Sequence, residues 1–427
     1  MAKTIKYFLL LVLFAAISAR AEVRFHDFFK EQTLRYDFLL GGDYETVEVF
    51  PRQMKLEPYW AGSVNHLIDP FDFGNYRVRV FDEAGGRLIF SRGFSPLFME
   101  WQTTEEAKHV RRTFYQSAFV PFPKKKIKLE IEQRQWEGHF KVIHSVIIDP
   151  EDYFILRETP KKFQTKKIQG TGKSEECIDL VFLAEGYTVA EMDKFLADAD
   201  RMTGYLFSVS PFSKHKDEFN IYAVLCPSEE SGTDVPGESV YRNTIFNSTF
   251  YTFGTPRYLT VGDMETVYDV AALVPWDHIF VLVNTERYGG GGFYNFLSVG
   301  SVDNELSGKV FVHEFGHAFA GLGDEYYTSN VAFENFYNLK TEPWEPNLTT
   351  LVDFDRKWKK MIEKDTPVPT PRTARYQSTT GVFEGGGYSA KGIYSPMMDC
   401  RMKSNDVPYF CPVCSDAIER TIRLHTH

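Results

Sequence analysis

The apolar pattern of this chain changes character once, and that change divides it. Up to about residue 156 the runs are short and alternate with period two, as in Tyr76-Arg-Val-Arg-Val-Phe81 and Lys126-Ile-Lys-Leu-Glu-Ile-Glu132. Gly85-Gly86 and Pro121-Phe122-Pro123 stand where turns belong. Strands at this spacing, without a sustained helical period, predict a β-sandwich over residues 22–160. Residues 161–176 are rich in Lys, Gln, Gly, Thr and Ser and read as a linker. From Cys177 onward, strand and helix alternate. Residues 177–183, 219–225, 278–283 and 297–302 read as strands, and Thr188 reads as the cap of a helix reaching about Phe207. The expected architecture is an α+β / α/β two-domain chain, with a sandwich followed by a domain built on a twisted mixed sheet over residues 177–427. A length of 427 residues leaves room for both cores.

The first 21 residues belong to neither domain. Lys3 and Lys6 precede an apolar run from Tyr7 to Ile17, and Ala19-Arg20-Ala21 supplies small residues at a cleavage site. This is the pattern of a secretory signal peptide, too short to span a bilayer. The expected location is therefore secreted, with no transmembrane anchor in the mature chain. The formal charge of −10 argues against nucleic acid as a partner. Five cysteines, Cys177, Cys226, Cys400, Cys411 and Cys414, would meet an oxidising compartment. The odd number leaves a thiol over. With Cys400 near the Cys411-Pro-Val-Cys414 pair, one local disulfide plus a buried thiol is the expectation.

Chemistry concentrates between Val310 and Tyr326. His313 and His317 lie four residues apart, on one face of a helix. Two such imidazoles suit one Zn²⁺. Glu314 follows the first of them and is placed to serve as general base toward water. Gly321 can end the helix and turn the chain back to present a third ligand. Asp324 is the first candidate, Glu325 the second and Asp399 a remote one. An HExxH match with these flanks is a poor fit to chance.

The segment resembles the metzincin-like zincins, which use HExxH, a glycine turn and a downstream third ligand. More specifically, residues 177–418 resemble the bacterial IgA peptidase family of zinc metallopeptidases. The resemblance rests on Ile178-Asp-Leu-Val-Phe-Leu-Ala-Glu-Gly-Tyr187, Pro211-Phe212, Phe219-Asn-Ile-Tyr222, Ser231-Gly-Thr-Asp-Val-Pro236, Val283-Asn284, Tyr288-Gly-Gly-Gly-Gly292 and the HEFGHAFAGLGDEY segment. The all-β first half also fits the domain found ahead of this peptidase. The resemblance implies a methionine turn beneath the metal, with Met402 at the matching position and Met397 and Met398 as alternatives. In the wider metzincin-like group, the turn glycine and the third ligand each come one residue earlier. The longer spacing here is that of the IgA peptidase family, and it leaves Asp324 and Glu325 both in play.

Weaker expectations complete the reading. The loop Gly289–Gly292 would form part of a cleft wall or an ordinary turn, and Glu185-Gly-Tyr187 a turn or a cleft edge. Tyr326, Tyr388 and Tyr394 are candidate donors to an oxyanion. Asn247 and Asn347 head glycosylation sequons. Residues 333–371 read as an insertion shaping access. The expected activity is that of a secreted endopeptidase with one Zn²⁺ per chain. Its partner would be a protein or peptide substrate, host immunoglobulin A being the substrate the resemblance implies. A zinc amidase acting on cell-wall peptide or glycan, and a surface-binding protein with a structural metal, are the alternatives.

Overall fold

Alternation along the strands builds the first half. The computed structural model describes residues 23–158, 161–327 and 336–426. The expected signal peptide lies outside them. A single turn, α1 (Phe25–Phe28), leads into β1 (Phe29–Gly42), β2 (Val47–Glu57), β3 (Tyr76–Asp82), β4 (Leu88–Phe94), α2 (Leu97–Gln102), β5 (Arg112–Pro123), β6 (Ile127–Arg134), β7 (Phe140–Ile148) and β8 (Ile155–Leu156). These strands form two four-stranded sheets, ordered β5-β1-β2-β8 and β4-β3-β6-β7. In β3 the side chains of Tyr76, Val78 and Val80 are buried and those between them are not. They share one core with Leu34, Phe38, Leu40 and Val120 of the other sheet. Two sheets around one apolar layer make a sandwich.

The second half surrounds a six-stranded sheet. Its elements are β9 (Gln164–Gln169), β10 (Ile178–Glu185), α3 (Met192–Leu206), β11 (Phe219–Leu225), β12 (Ser248–Thr249), β13 (Thr260–Val261), α4 (Met264–Ala271), β14 (His278–Val283), β15 (Gly290–Phe293), β16 (Leu297–Ser301), α5 (Ser307–Ala320), β17 (Phe383–Gly386), β18 (Ser389–Ser395) and α6 (Pro412–Thr426). The sheet runs β15-β16-β14-β10-β11-β9. The four inner strands pair in parallel, and β15 and β9 are antiparallel edges. Every residue of β10 and β14 is buried, as parallel strands covered on both faces require. Helix α3 buries Phe195, Ala199, Met202 and Leu206 at helical spacing. It follows a 3₁₀ turn whose capping box joins Thr188 and Glu191.

Two expectations are corrected here. Residues 161–176 are not a free linker, because β9 within them pairs with β11. Four of its six residues are exposed, so an edge strand can carry Lys166 and Lys167 and keep the composition of a loop. Of the two readings of the four-glycine segment, the flexible turn falls and the cleft wall stands, since Gly290, Gly291 and Gly292 line a cleft. Gly290–Phe293 is β15, paired antiparallel with β16.

The two halves are pinned together at α4. Arg35 is fully buried and donates to Asp37 at 2.7 Å, Glu57 at 3.2 Å and Asp269 of α4 at 2.6 Å. Lys55 reaches the same Asp269 at 2.9 Å. A guanidinium out of water is tolerated only with such partners. Phe119 packs edge-on against Tyr268 and Trp276 beside it.

Candidate active site

Helix α5 positions the first three site residues. Val310, Phe311, Phe315 and Phe319 bury its apolar side, and it rests on β15 and β16. Gly292 explains how close that contact is: a Cβ there would stand 2.2 Å from the Glu314 carbonyl oxygen. A Cβ on Gly290 would meet Val310 at 2.8 Å and Glu314 Cγ at 3.0 Å. The glycines of β15 therefore let an edge strand lie directly against the helix backbone at Glu314.

Each histidine is oriented by a main-chain carbonyl. His313 Nδ1 donates to Arg401 O at 3.0 Å, and His317 Nδ1 donates to Leu322 O. Both Nε2 atoms are left to face one another, 3.0 Å apart. Gly321, at φ 63°, ends α5 and turns the chain back. Asp324 Oδ1 then lies 3.0 Å from His313 Nε2 and 3.3 Å from His317 Nε2. Tyr388 donates its hydroxyl to the other oxygen, Oδ2, at 2.5 Å.

This triangle fits a small cation. With both Nδ1 atoms donating, the two Nε2 atoms of neutral rings present lone pairs to each other and to a carboxylate. Asp324 Oδ1 is buried and has no hydrogen-bond donor. Ligands at the usual Zn²⁺ distances stand about 3.4 Å apart at a tetrahedral centre, close to the spacing seen. The electrostatics agree. Burial alone would raise the Asp324 carboxyl, but the His317 and His313 imidazoles hold it well below the usual carboxylate range. Burial lowers His317, yet the Asp324 charge outweighs it and brings the ring to about 9. Without a cation the His317 ring therefore keeps a proton toward Asp324, and a bound cation would take that proton's place and leave the ring neutral. Burial pushes the Glu314 carboxyl up, against the attraction of His313 and His317.

The remaining expectations separate. Glu325 is not beside the histidines; its Oε1 lies 3.2 Å from Cys414 Sγ and accepts from Asn347 Nδ2 at 3.0 Å. Asp399 bonds Gln377 instead. Met402 is fully buried, and a Cβ on Gly316, between the two histidines, would meet its sulfur at 3.1 Å. Tyr326 and Tyr388 line the cleft, whereas Tyr394 is not part of its lining. Glu185 faces inward to hold a loop, accepting from Thr244 Oγ1 at 2.6 Å and Ser248 N at 2.8 Å. Asn347 is fully buried, clasps Gly323 through both its amide groups and carries no glycan in this fold. The expected insertion begins outside the described residues, and from Phe336 on it contributes Tyr337, Trp344 and Glu345 to the cleft.

Sequence reasoning missed part of the cleft wall. Asn75, Ser95, Met99 and Glu100 come from the first domain. Burial pushes the Glu100 carboxyl to about 7, although it accepts from the Tyr258 hydroxyl. Arg257 stands among Tyr326 and Tyr288. None of these residues lies in a local motif, so no pattern in the sequence marks them.

Comparison with known proteins bears on the whole chain. A family described as IgA Peptidase M64 matches residues 166–375 and 372–422, and one described as Peptidase M64 N-terminus matches residues 24–145. No curated protein matches the chain. With the matched regions spanning the six-stranded sheet, the helix of the paired histidines and the sandwich before them, the chain belongs to the IgA peptidase M64 family and is a peptidase.

Proposed function

We propose that this peptidase is an exported, zinc-dependent endopeptidase. The observation that carries the reading is the triangle of His313 Nε2, His317 Nε2 and Asp324 Oδ1, with Glu314 beside it in the cleft. Zn²⁺ held by those three residues would act as a Lewis acid toward the scissile carbonyl and toward water. Glu314 would accept the proton of the attacking water as its oxygen bonds to the carbonyl carbon. It would pass that proton to the leaving amine as the carbon–nitrogen bond breaks. Arg257 and Tyr326, which line the same cleft, would donate to the oxygen on which negative charge develops. The main-chain acceptors on both Nδ1 atoms keep the imidazoles in the ligating tautomer.

The signal-like first 21 residues support export, and the family's description makes immunoglobulin A the first protein to offer. Among the described residues no helix is long and apolar enough to cross a membrane. The test pairs zinc analysis with digestion of casein and immunoglobulin A. Glu314→Ala should keep its zinc and lose cleavage, and His317→Ala should lose one zinc and all cleavage. Cleavage that survives in either variant, or that persists after exhaustive chelation, defeats the reading.

A further inference from the structure

A second group of soft and acidic side chains lies next to the first and takes no part in the chemistry above. Cys400, Cys411, Cys414 and Glu325 are all fully buried, and their ligand atoms lie within 4.8 Å of one another. The sulfurs of Cys400 and Cys414 are 3.7 Å apart. Glu325 Oε1 is 3.2 Å from Cys414 Sγ and 4.0 Å from Cys411 Sγ. No pair is bonded: all five cysteines of the chain are free thiols, contrary to the local disulfide expected from their spacing. A Zn²⁺ with thiolates at about 2.3 Å sets neighbouring sulfurs about 3.8 Å apart, the spacing of Cys400 and Cys414.

The surroundings are those of bound thiolates. The backbone N–H of Cys411 points to Cys400 Sγ at 3.3 Å, and that of Cys414 to Cys411 Sγ at 3.4 Å. Cys411 immediately precedes α6 and Cys414 lies in its first turn, so the start of one helix fixes two sulfurs. Glu325 Oε2 is buried without a hydrogen bond. A buried carboxylate left in that condition beside three thiols is costly unless a cation joins it. Lys403 attracts the Glu325 charge from a distance but bonds none of the four, its ammonium lying over the Tyr327 ring.

We propose that Cys400, Cys411, Cys414 and Glu325 hold a second Zn²⁺ in a closed, four-ligand structural site. Three thiolates select zinc over magnesium or calcium, and four protein ligands leave no open position for a substrate. The site joins the turn after α5 to the segment that leads into α6. Glu325 also donates its N–H to Met402 O at 2.8 Å, and Arg401, between Cys400 and Met402, supplies the carbonyl that orients His313. Closing this site therefore fixes Asp324 and the His313 acceptor together. That last consequence rests on the proposed function, whereas the site itself does not.

The test uses the full chain purified under reducing, anaerobic conditions. Wild type should carry two zinc ions, and His317→Ala and Cys414→Ser one each. Because Cys414→Ser risks misfolding, cobalt(II) substitution of wild type and His317→Ala provides the second measurement. Both should show thiolate-to-cobalt charge-transfer absorption. Its absence from His317→Ala, or a wild type with one zinc that His317→Ala abolishes, overturns the second site. A single zinc that His317→Ala retains, with the thiolate absorption, upholds this site and defeats the catalytic reading instead.

Discussion

Asp324 and Glu325 are consecutive residues whose buried carboxylates serve different clusters. Asp324 Oδ1 lies 3.0 Å from His313 Nε2, and Glu325 Oε1 lies 3.2 Å from Cys414 Sγ. One peptide unit thus separates the two groups, and Asn347 grips the turn before them through Gly323. The order of acidic residues after the glycine turn is what sorts them. The first reaches back to α5, and the second reaches the start of α6.

In the proposed mechanism Glu314 carries the proton transfer and does not ligate the metal. Glu314→Gln should leave zinc content unchanged and lower kcat by about a hundred- to ten-thousand-fold. Metal analysis beside steady-state cleavage of a fluorogenic peptide checks both halves. A loss of zinc in this variant would make Glu314 a ligand and contradict the assignment.

Tyr388 holds the Asp324 oxygen that does not face the histidines. Tyr388→Phe keeps the ring and removes the hydroxyl, so it should weaken zinc affinity about ten- to a hundred-fold while the fold persists. Competition with a chelator reads the affinity, and circular dichroism reads the fold. Unaltered affinity would leave the Tyr388 hydroxyl without a role at the metal.

The glycine strand offers a matched pair. Gly292→Ala drives a Cβ to 2.2 Å from the Glu314 carbonyl, backbone against backbone, and should cost about 1–3 kcal/mol and most of the activity. Gly204→Ala, on α3 with nothing within 4 Å, should instead add about 0.5–1 kcal/mol. Urea denaturation of both variants measures the difference. Equal effects would mean that β15 does not need its bare backbone.

Asp179 sets a pH dependence of stability. Burial and the nearby Asp277 charge push its carboxyl from 3.8 to about 7, although Asn220 Nδ2 donates to it at 2.8 Å. The folded state therefore holds its proton more tightly than the unfolded chain. The stability this provides is complete below pH 3.8 and is lost as pH rises through 7, a change on the order of 4 kcal/mol in full, of which about 2–3 kcal/mol falls between pH 5 and 8. Asp179→Asn should flatten that decline and raise stability at pH 8, measured by denaturation at pH 5 and 8. A wild type whose decline between those values matches that of the variant would refute the shift.

The parts legible in the sequence are those fixed by local pattern. Buried runs such as His278–Val283 and Phe219–Leu225 are strands at the residues expected, and the HExxH spacing places His313 and His317 on one helix. The illegible parts depend on neighbours distant in the chain. β9 looks like a linker because an exposed edge asks nothing apolar of it. The glycines of β15 look like a turn because their partner, the backbone of α5, comes later. Asn347 looks like a sequon until Gly323 is found against it. Glu100 and Arg257 enter the cleft from separate segments and carry no motif.

The cleft is shared property. Ser95 of the sandwich ties its N–H to Tyr294 O at 2.9 Å, and Glu100 is bonded by Tyr258 at the same wall. The first domain thus builds part of the cleft wall as well as its own core. Substitution of Asn75, Ser95, Met99 or Glu100 would reshape that rim from the first domain while His313, Glu314, His317 and Asp324 stay where α5 and its turn hold them.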